Sequence, residues 1–186
     1  MAIALNASGR PIAYSCEWPF YLLQLNQPID YSRIIQYCNL FRSLKSIIDF
    51  YDQNQDSFIP YHGPGHWFDP DMIVAGNPGV TLDQAKVQLA IWSIWSAPLI
   101  MSNDLRTIGP EFKEILLNKR VIAVDQDPLY VMGRLTVNTT YVGIYVKRMT
   151  PYQLNTYSYA IASLNRHTDT NMAIETCIIA FIPSLD

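Results

Sequence analysis

The chain has 186 residues, 49% of them apolar and 16% charged, with a formal net charge of -3. That balance supports a packed core and excludes a disordered chain, because enough apolar surface exists to offset chain entropy. With no run of Lys or Arg, it also argues against nucleic acid or an anionic membrane as the main partner.

The length suits one domain or parts of two. The densest apolar stretches are 87–101, broken by Gln88, Ser93, Ser96 and Pro98, and 177–182, which is too short to cross a bilayer. Met1-Ala2-Ile3-Ala4-Leu5 has no basic flank and does not read as a signal peptide. The reading at this point is a cytoplasmic protein or one whose true start lies upstream.

In chain order, Pro11–Ser15 is a short strand candidate, followed by an aromatic stretch over 18–25. A helix opens near Asp30-Tyr31-Ser32, with Ile34, Ile35 and Cys38 at helical spacing, and 44–50 predicts another. Asp71–Gly76 is a continuous apolar run closed by glycine, the pattern of a buried parallel strand. Thr81 caps a helix that carries Val87, Ala90, Ile91, Ile94 and Trp95 and must stop before Pro98. Leu99–Ser102 resumes a strand, and Pro110 starts a helix with Phe112, Ile115 and Leu116. This alternation predicts an α/β fold with a parallel sheet. Beyond about residue 130 the texture becomes alternating and rich in Tyr, Thr and Val, at 140–146 and 157–162, which predicts antiparallel strands.

Polar residues gather where parallel strands would end or begin: Glu17, Arg42, Asp69, Asp71 and Asp104. Loops at the carboxyl ends of parallel strands build sites in such folds. By pattern alone, Asp69 and Asp71 equally fit a turn, Arg42 a surface ion pair and Asp104 a helix cap. His62 and His66 are four apart, but Gly63-Pro64-Gly65 prevents the helix a metal pair would need. Trp18, Phe20 and Tyr21 fit either a sugar-stacking platform or a core, and Trp92 and Trp95 read as core. Three widely spaced cysteines, Cys16, Cys38 and Cys177, match no zinc or redox motif and leave room for one disulfide. Asn-x-Ser/Thr triplets occur at Asn6 and Asn138.

Five ordered motifs go further. Ser15-Cys16-Glu17-Trp18-Pro19, Tyr37-Cys38-Asn39-x-x-Arg42, Gly63-Pro64-Gly65-His66-Trp67-x-Asp69-Pro70-Asp71-Met72, Ala97–Arg106 and Asp125–Leu129 resemble successive motifs of the alpha-galactosidase/alpha-N-acetylgalactosaminidase family, the melibiase-type glycoside hydrolase family 27. The motifs are closest to the alpha-galactosidase branch.

The resemblance implies the second half of a (β/α)8 barrel over residues 1–129 and the start of an antiparallel β-sandwich domain over 130–186. It implies a Cys16–Cys38 disulfide, glycosylation at Asn6 (Asn138 being the second triplet), and no cofactor or metal. The parent enzyme would be lysosomal or secreted and homodimeric. Its activity would be hydrolysis of terminal alpha-linked galactose with retention of configuration. Residue by residue, Glu17 matches a carboxylate near the sugar's 2-hydroxyl, Phe20 a bulky neighbour, Arg42 an arginine of the same region, and Asp71 with Met72 a substrate-facing pair. Because Glu17 and Phe20 are large, the implied preference is galactose over its N-acetylamino analogue.

The departures matter as much. Retaining glycosidases need a nucleophilic carboxylate and an acid/base carboxylate about 5 to 5.5 Å apart. The family's nucleophile lies in a Lys-x-Asp segment that would precede Met1. The acid/base aspartate follows the arginine matched by Arg42, yet here Ser43-Leu44-Lys45-Ser46 comes next. The expectation is therefore a fragment, or a faulty gene assembly, of an active glycosidase. A truncated product that binds sugar or a partner chain without hydrolysis is the alternative, and a chance match by a cytoplasmic α/β protein is the third reading.

Overall fold

The computed structural model describes residues 2–16, 21, 22, 25, 27–42 and 47–166, with the backbone alone at 2, 6 and 40–42. Two compact units divide it: Met1–Met72 with Ala97–Ile100, and Ile73–Ser96 with Met101–Asp186.

The first unit holds α1 (Ala2–Asn6), β1 (Ser15–Cys16), α2 (Tyr31–Ile34), β2 (Leu40–Arg42), α3 (Ile47–Phe58), a 3-10 turn (Ile59–Tyr61) and β3 (Trp67–Asp69). The strands form a parallel sheet in the order β1-β2-β3, with Cys16 beside Phe41 and Arg42 beside Asp69. Helix α2 starts where Asp30 accepts a hydrogen bond from the Arg33 N–H, which satisfies an otherwise unpaired donor. Helix α3 buries Phe50, Tyr51 and Phe58, the last two being two helical turns apart on one face, and gives way to the 3-10 turn at Ile59-Pro60. Phe58 stacks on Phe68 of β3 at 4.7 Å between ring centres, with Tyr31 of α2 alongside at 6.0 Å. These aromatic rings are the core that seats the helices on the sheet.

The second unit holds α4 (Leu82–Ile94), α5 (Pro110–Leu116), α6 (Lys119–Asp125) and an antiparallel sheet β4-β5-β6, formed by Arg134–Asn138, Val142–Gln153 and Thr156–Asn165. Thr81 and Gln84 make a reciprocal capping box at the start of α4. Asn118 caps α6 by accepting from the Arg120 and Val121 N–H groups. Trp92 and Trp95 are buried and stacked at 5.5 Å, and Trp95 meets Tyr145 of β5 edge-on. Gly133 lets the chain approach the end of α4: a Cβ there would lie 2.7 Å from the Ile94 carbonyl oxygen, which accepts the Gly133 N–H. Leu154 and Asn155 both have positive φ and close the β5–β6 hairpin, the geometry of a two-residue type I′ turn.

Several expectations need correction. Asp71–Gly76 is not a strand: Asp71 has φ 81, a left-handed conformation that interrupts extended backbone, and the strand of this region is β3, upstream at Trp67–Asp69. Leu99–Ser102 is not a strand either. Among the described residues Ile73 and Met101 form an isolated parallel bridge, with the Ser102 N–H donating to the Ile73 carbonyl, and two side-chain amides add to it: Asn77 donates to the Ser102 carbonyl at 2.7 Å and Asn103 to the Ala75 carbonyl at 2.7 Å. The strand expected over Pro11–Ser15 starts only at Ser15, and the helix expected to carry Cys38 ends at Ile34. Among the described residues no helix is long and apolar enough to cross a membrane.

Candidate functional site

The parallel sheet of the first unit brings the carboxyl ends of β2 and β3 side by side, Arg42 paired with Asp69. The opposite ends are tied together by Asn39. Its backbone N–H donates to the Tyr14 carbonyl, and its side-chain Oδ1 accepts the Tyr14 N–H at 2.9 Å. Its side-chain nitrogen donates to the Gly65 carbonyl at 3.2 Å, and its carbonyl accepts the Trp67 N–H. One asparagine thus links the entries of all three strands. The Cys16–Cys38 disulfide lies beside this clamp, with the Cα atoms 5.8 Å apart, as the resemblance implied.

At the exit of β3 the chain makes a tight polar turn. Asp69 is buried, and its Oδ1 accepts the Asp71 N–H at 2.9 Å. Asp71 is half-buried in its left-handed conformation, and its Oδ1 accepts the Met72 N–H at 2.8 Å. Left-handed backbone is uncommon outside glycine, and Asp tolerates it because its short side chain bonds locally. The turn therefore fixes Asp71 at the edge of the sheet and leaves Met72 exposed beyond it. The reading of these aspartates as a turn is met by this geometry. A carboxylate held this way can accept hydroxyl protons.

Glu17 and Phe20 lie outside the described residues, as do Trp18 and Cys177. Arg42 is placed by its backbone at the end of β2. Tyr21 is exposed. Asn6 ends α1, and Asn138 is exposed at the end of β4, paired with Gly143. Asp104 belongs to the second unit, where Arg106 grips both its oxygens at 2.9 and 2.8 Å and, by those hydrogen bonds, holds its carboxyl below the usual range. His62 and His66 serve the strand entries: His62 Nδ1 accepts the Phe68 N–H at 3.2 Å, and His66 Nδ1 lies 3.4 Å from the Cys38 carbonyl. Sequence reasoning missed the clamp by Asn39. Its position immediately before β2, inside a quoted motif, was the available signal.

Acids and an arginine at the carboxyl ends of a parallel sheet resemble the arrangement of α/β barrel-type folds, which build their sites in those loops. The family model described as alpha galactosidase A matches residues 1–127, and the chain belongs to this melibiase-type glycoside hydrolase family. It is 41% identical over 180 residues to alpha-N-acetylgalactosaminidase of Gallus gallus, covering 91% of this chain and 43% of that one. It is 48% identical over 143 residues to alpha-galactosidase A of Homo sapiens, covering 72% of this chain and 33% of that one. Alpha-galactosidase I of Mortierella vinacea shares the fold, with a TM-score of 0.73, 23% identity, and 89% of this chain and 45% of that one covered. The chain thus spans less than half the length of these relatives. Both activities occur among them at similar identity, so the expected closeness to the alpha-galactosidase branch is not distinguished.

Proposed function

We propose that these 186 residues are the carboxyl-side portion of a retaining exo-glycosidase acting on terminal alpha-linked galactose of glycolipids, glycoproteins or oligosaccharides. In this reading residues 1–129 are half of a (β/α)8 barrel and 130–186 open an antiparallel domain. Glu17, Phe20, Arg42, Asp71 and Met72 contact the sugar, while the nucleophile and the acid/base aspartate are not among these residues. The observation that carries the proposal is the turn at the exit of β3, where Asp69 holds Asp71 at the sheet edge, inside a region matched by the family model. Directed hydrogen bonds from carboxylates and a guanidinium are what distinguish one sugar hydroxyl from another. Glu17 can accept from a 2-hydroxyl, and the size of Glu17 and Phe20 disfavours an acetamido group there. Secretion to the lysosome or beyond, glycosylation at Asn6 and Asn138, and a homodimeric parent enzyme complete the proposal.

The test compares three chains at acidic pH on chromogenic alpha-galactoside and its 2-acetamido analogue. They are the 186 residues alone, the same chain with an aspartate-bearing segment inserted after Arg42, and that chain extended with a relative's nucleophile-bearing strands. Acid/base help is worth about 10²–10⁴-fold, and the nucleophile divides the reaction into two easier steps, so only the third chain should turn over. It should cleave the galactoside faster. Turnover by either of the first two chains, or faster cleavage of the acetamido substrate, would overturn the reading. Retention of galactose by the first chain without hydrolysis would support a non-catalytic sugar-binding product instead.

A further inference from the structure

Along β5 the buried residues alternate, Gly143, Tyr145 and Lys147, so Lys147 stands where the inward face calls for an apolar side chain. It is 0% exposed. Its ammonium donates to the Ser96 hydroxyl at 2.6 Å, the Ser93 carbonyl at 3.3 Å and the Asp125 carbonyl at 3.4 Å, and makes a shorter contact with the Val124 carbonyl. These carbonyls belong to the last turns of α4 and α6, where a helix has no partners of its own for them. One side chain from the sheet therefore closes the ends of two helices.

The carboxyl of Asp125 lies within electrostatic reach of this ammonium, and its Oδ1 is buried without a hydrogen-bond partner. Burial pushes the Asp125 carboxyl up to about 7, opposed by the charge of Lys147. Burial pulls the Lys147 ammonium down to about 8, opposed by Asp125 and Asp127. Asp127 is committed elsewhere: Oδ1 accepts the Leu129 N–H, and Oδ2 accepts the Thr150 N–H and hydroxyl. The other charged groups of the surrounding elements are exposed: Asp83 and Lys86 on α4, Glu111, Lys113 and Glu114 on α5, Lys119 and Arg120 on α6, Arg134 on β4 and Arg148 on β5. On β6, Ala160 pairs with Lys147, and its tyrosines Tyr157 and Tyr159 do not join the cluster.

We infer that the Asp125 carboxyl, set beside the buried Lys147 that joins β5 to the ends of α4 and α6, makes this unit pH-responsive: firmest in acidic solution and weaker near neutrality. A carboxyl that holds its proton more tightly folded than unfolded gives stability that is fully present below about pH 4 and is lost as pH rises to about 7. Lys147 acts in the other direction and higher. Its proton is held less tightly when folded, so its contribution is fully present above about pH 10.5 and is lost as pH falls through about 8. The weakest point lies between the two windows. The inference is independent of the proposed hydrolytic activity, because it concerns groups outside the candidate site.

The test is urea unfolding of the 186-residue chain and its Asp125→Asn variant at about pH 5 and about pH 7.5, with carbon-13 NMR titration of the Asp125 carboxyl in the unaltered chain. The midpoint urea concentration of the unaltered chain should fall between the two pH values by more than that of D125N, whose amide mimics the protonated acid. The carboxyl should titrate near 7, about three units above an ordinary aspartate, and Lys147→Met should move it higher still by removing the opposing charge. Parallel pH responses in the two chains, or titration of Asp125 near 4, would overturn the inference. The NMR measurement decides the matter even where D125N fails to fold.

Discussion

At the scale of single residues, the first unit depends on two small devices at its strand entries, Asn39 and the Cys16–Cys38 bridge. The disulfide closes a loop of 22 residues in sequence separation, which in the chain-entropy account stabilises the folded state by about 3 kcal/mol. Replacing both cysteines by alanine should lower the denaturant midpoint of the first unit accordingly, as read from aromatic signals of Tyr31, Tyr51 and Trp67. A double variant with an unchanged midpoint would show that Asn39 alone holds the strand entries. The cysteines were visible as candidates, but their pairing came only with the family motifs, since three widely spaced thiols allow several pairings. The role of Asn39 was not visible, because its four hydrogen bonds reach residues 25 to 28 positions away and no local pattern encodes them.

At the scale of elements, legibility followed locality. The start of α4 was readable because Thr81 and Gln84 satisfy each other's backbone donors within four residues. Thr81→Ala should cost about 1 kcal/mol and should be recovered in part by Asp or Ser at the same position, measured by urea unfolding in the cold. A loss no greater than that of an exposed surface substitution would mean the cap is unimportant there. The same kind of reasoning failed over 71–76, where an apolar run closed by glycine imitates a strand. The Asp69–Asp71 turn forces a left-handed residue into the run, and the nearest partner, Met101, meets it at a single bridge. Strands of two or three residues, as β1 and β3 are, carry too few positions for any period to register.

For the chain as a whole, β1 and β3 are the outer strands of the parallel sheet among the described residues. In the closed barrel expected of the family, further strands would cover both edges. The 186 residues alone should therefore self-associate on warming, giving light scattering that depends on protein concentration and irreversible melting. Supplying the amino-terminal barrel strands of a relative in the same chain should suppress the scattering. A monomeric, reversibly melting 186-residue chain would contradict this expectation.

Composition, capping signals, the alternation of β5 and β6 and the family motifs could all be read from the amino-acid order, because each is written in neighbouring residues or in motifs that recur intact. Placing Lys147 in the interior, joining three strand entries through Asn39 and moving the third parallel strand upstream of Asp71 were decided by tertiary structure. For Lys147 and Asn39 the deciding interactions are hydrogen bonds between residues more than twenty positions apart, and for Asp71 a left-handed backbone angle fixed beside a buried aspartate. The energy of that kind of contact depends on burial, and burial exists only once the chain has folded.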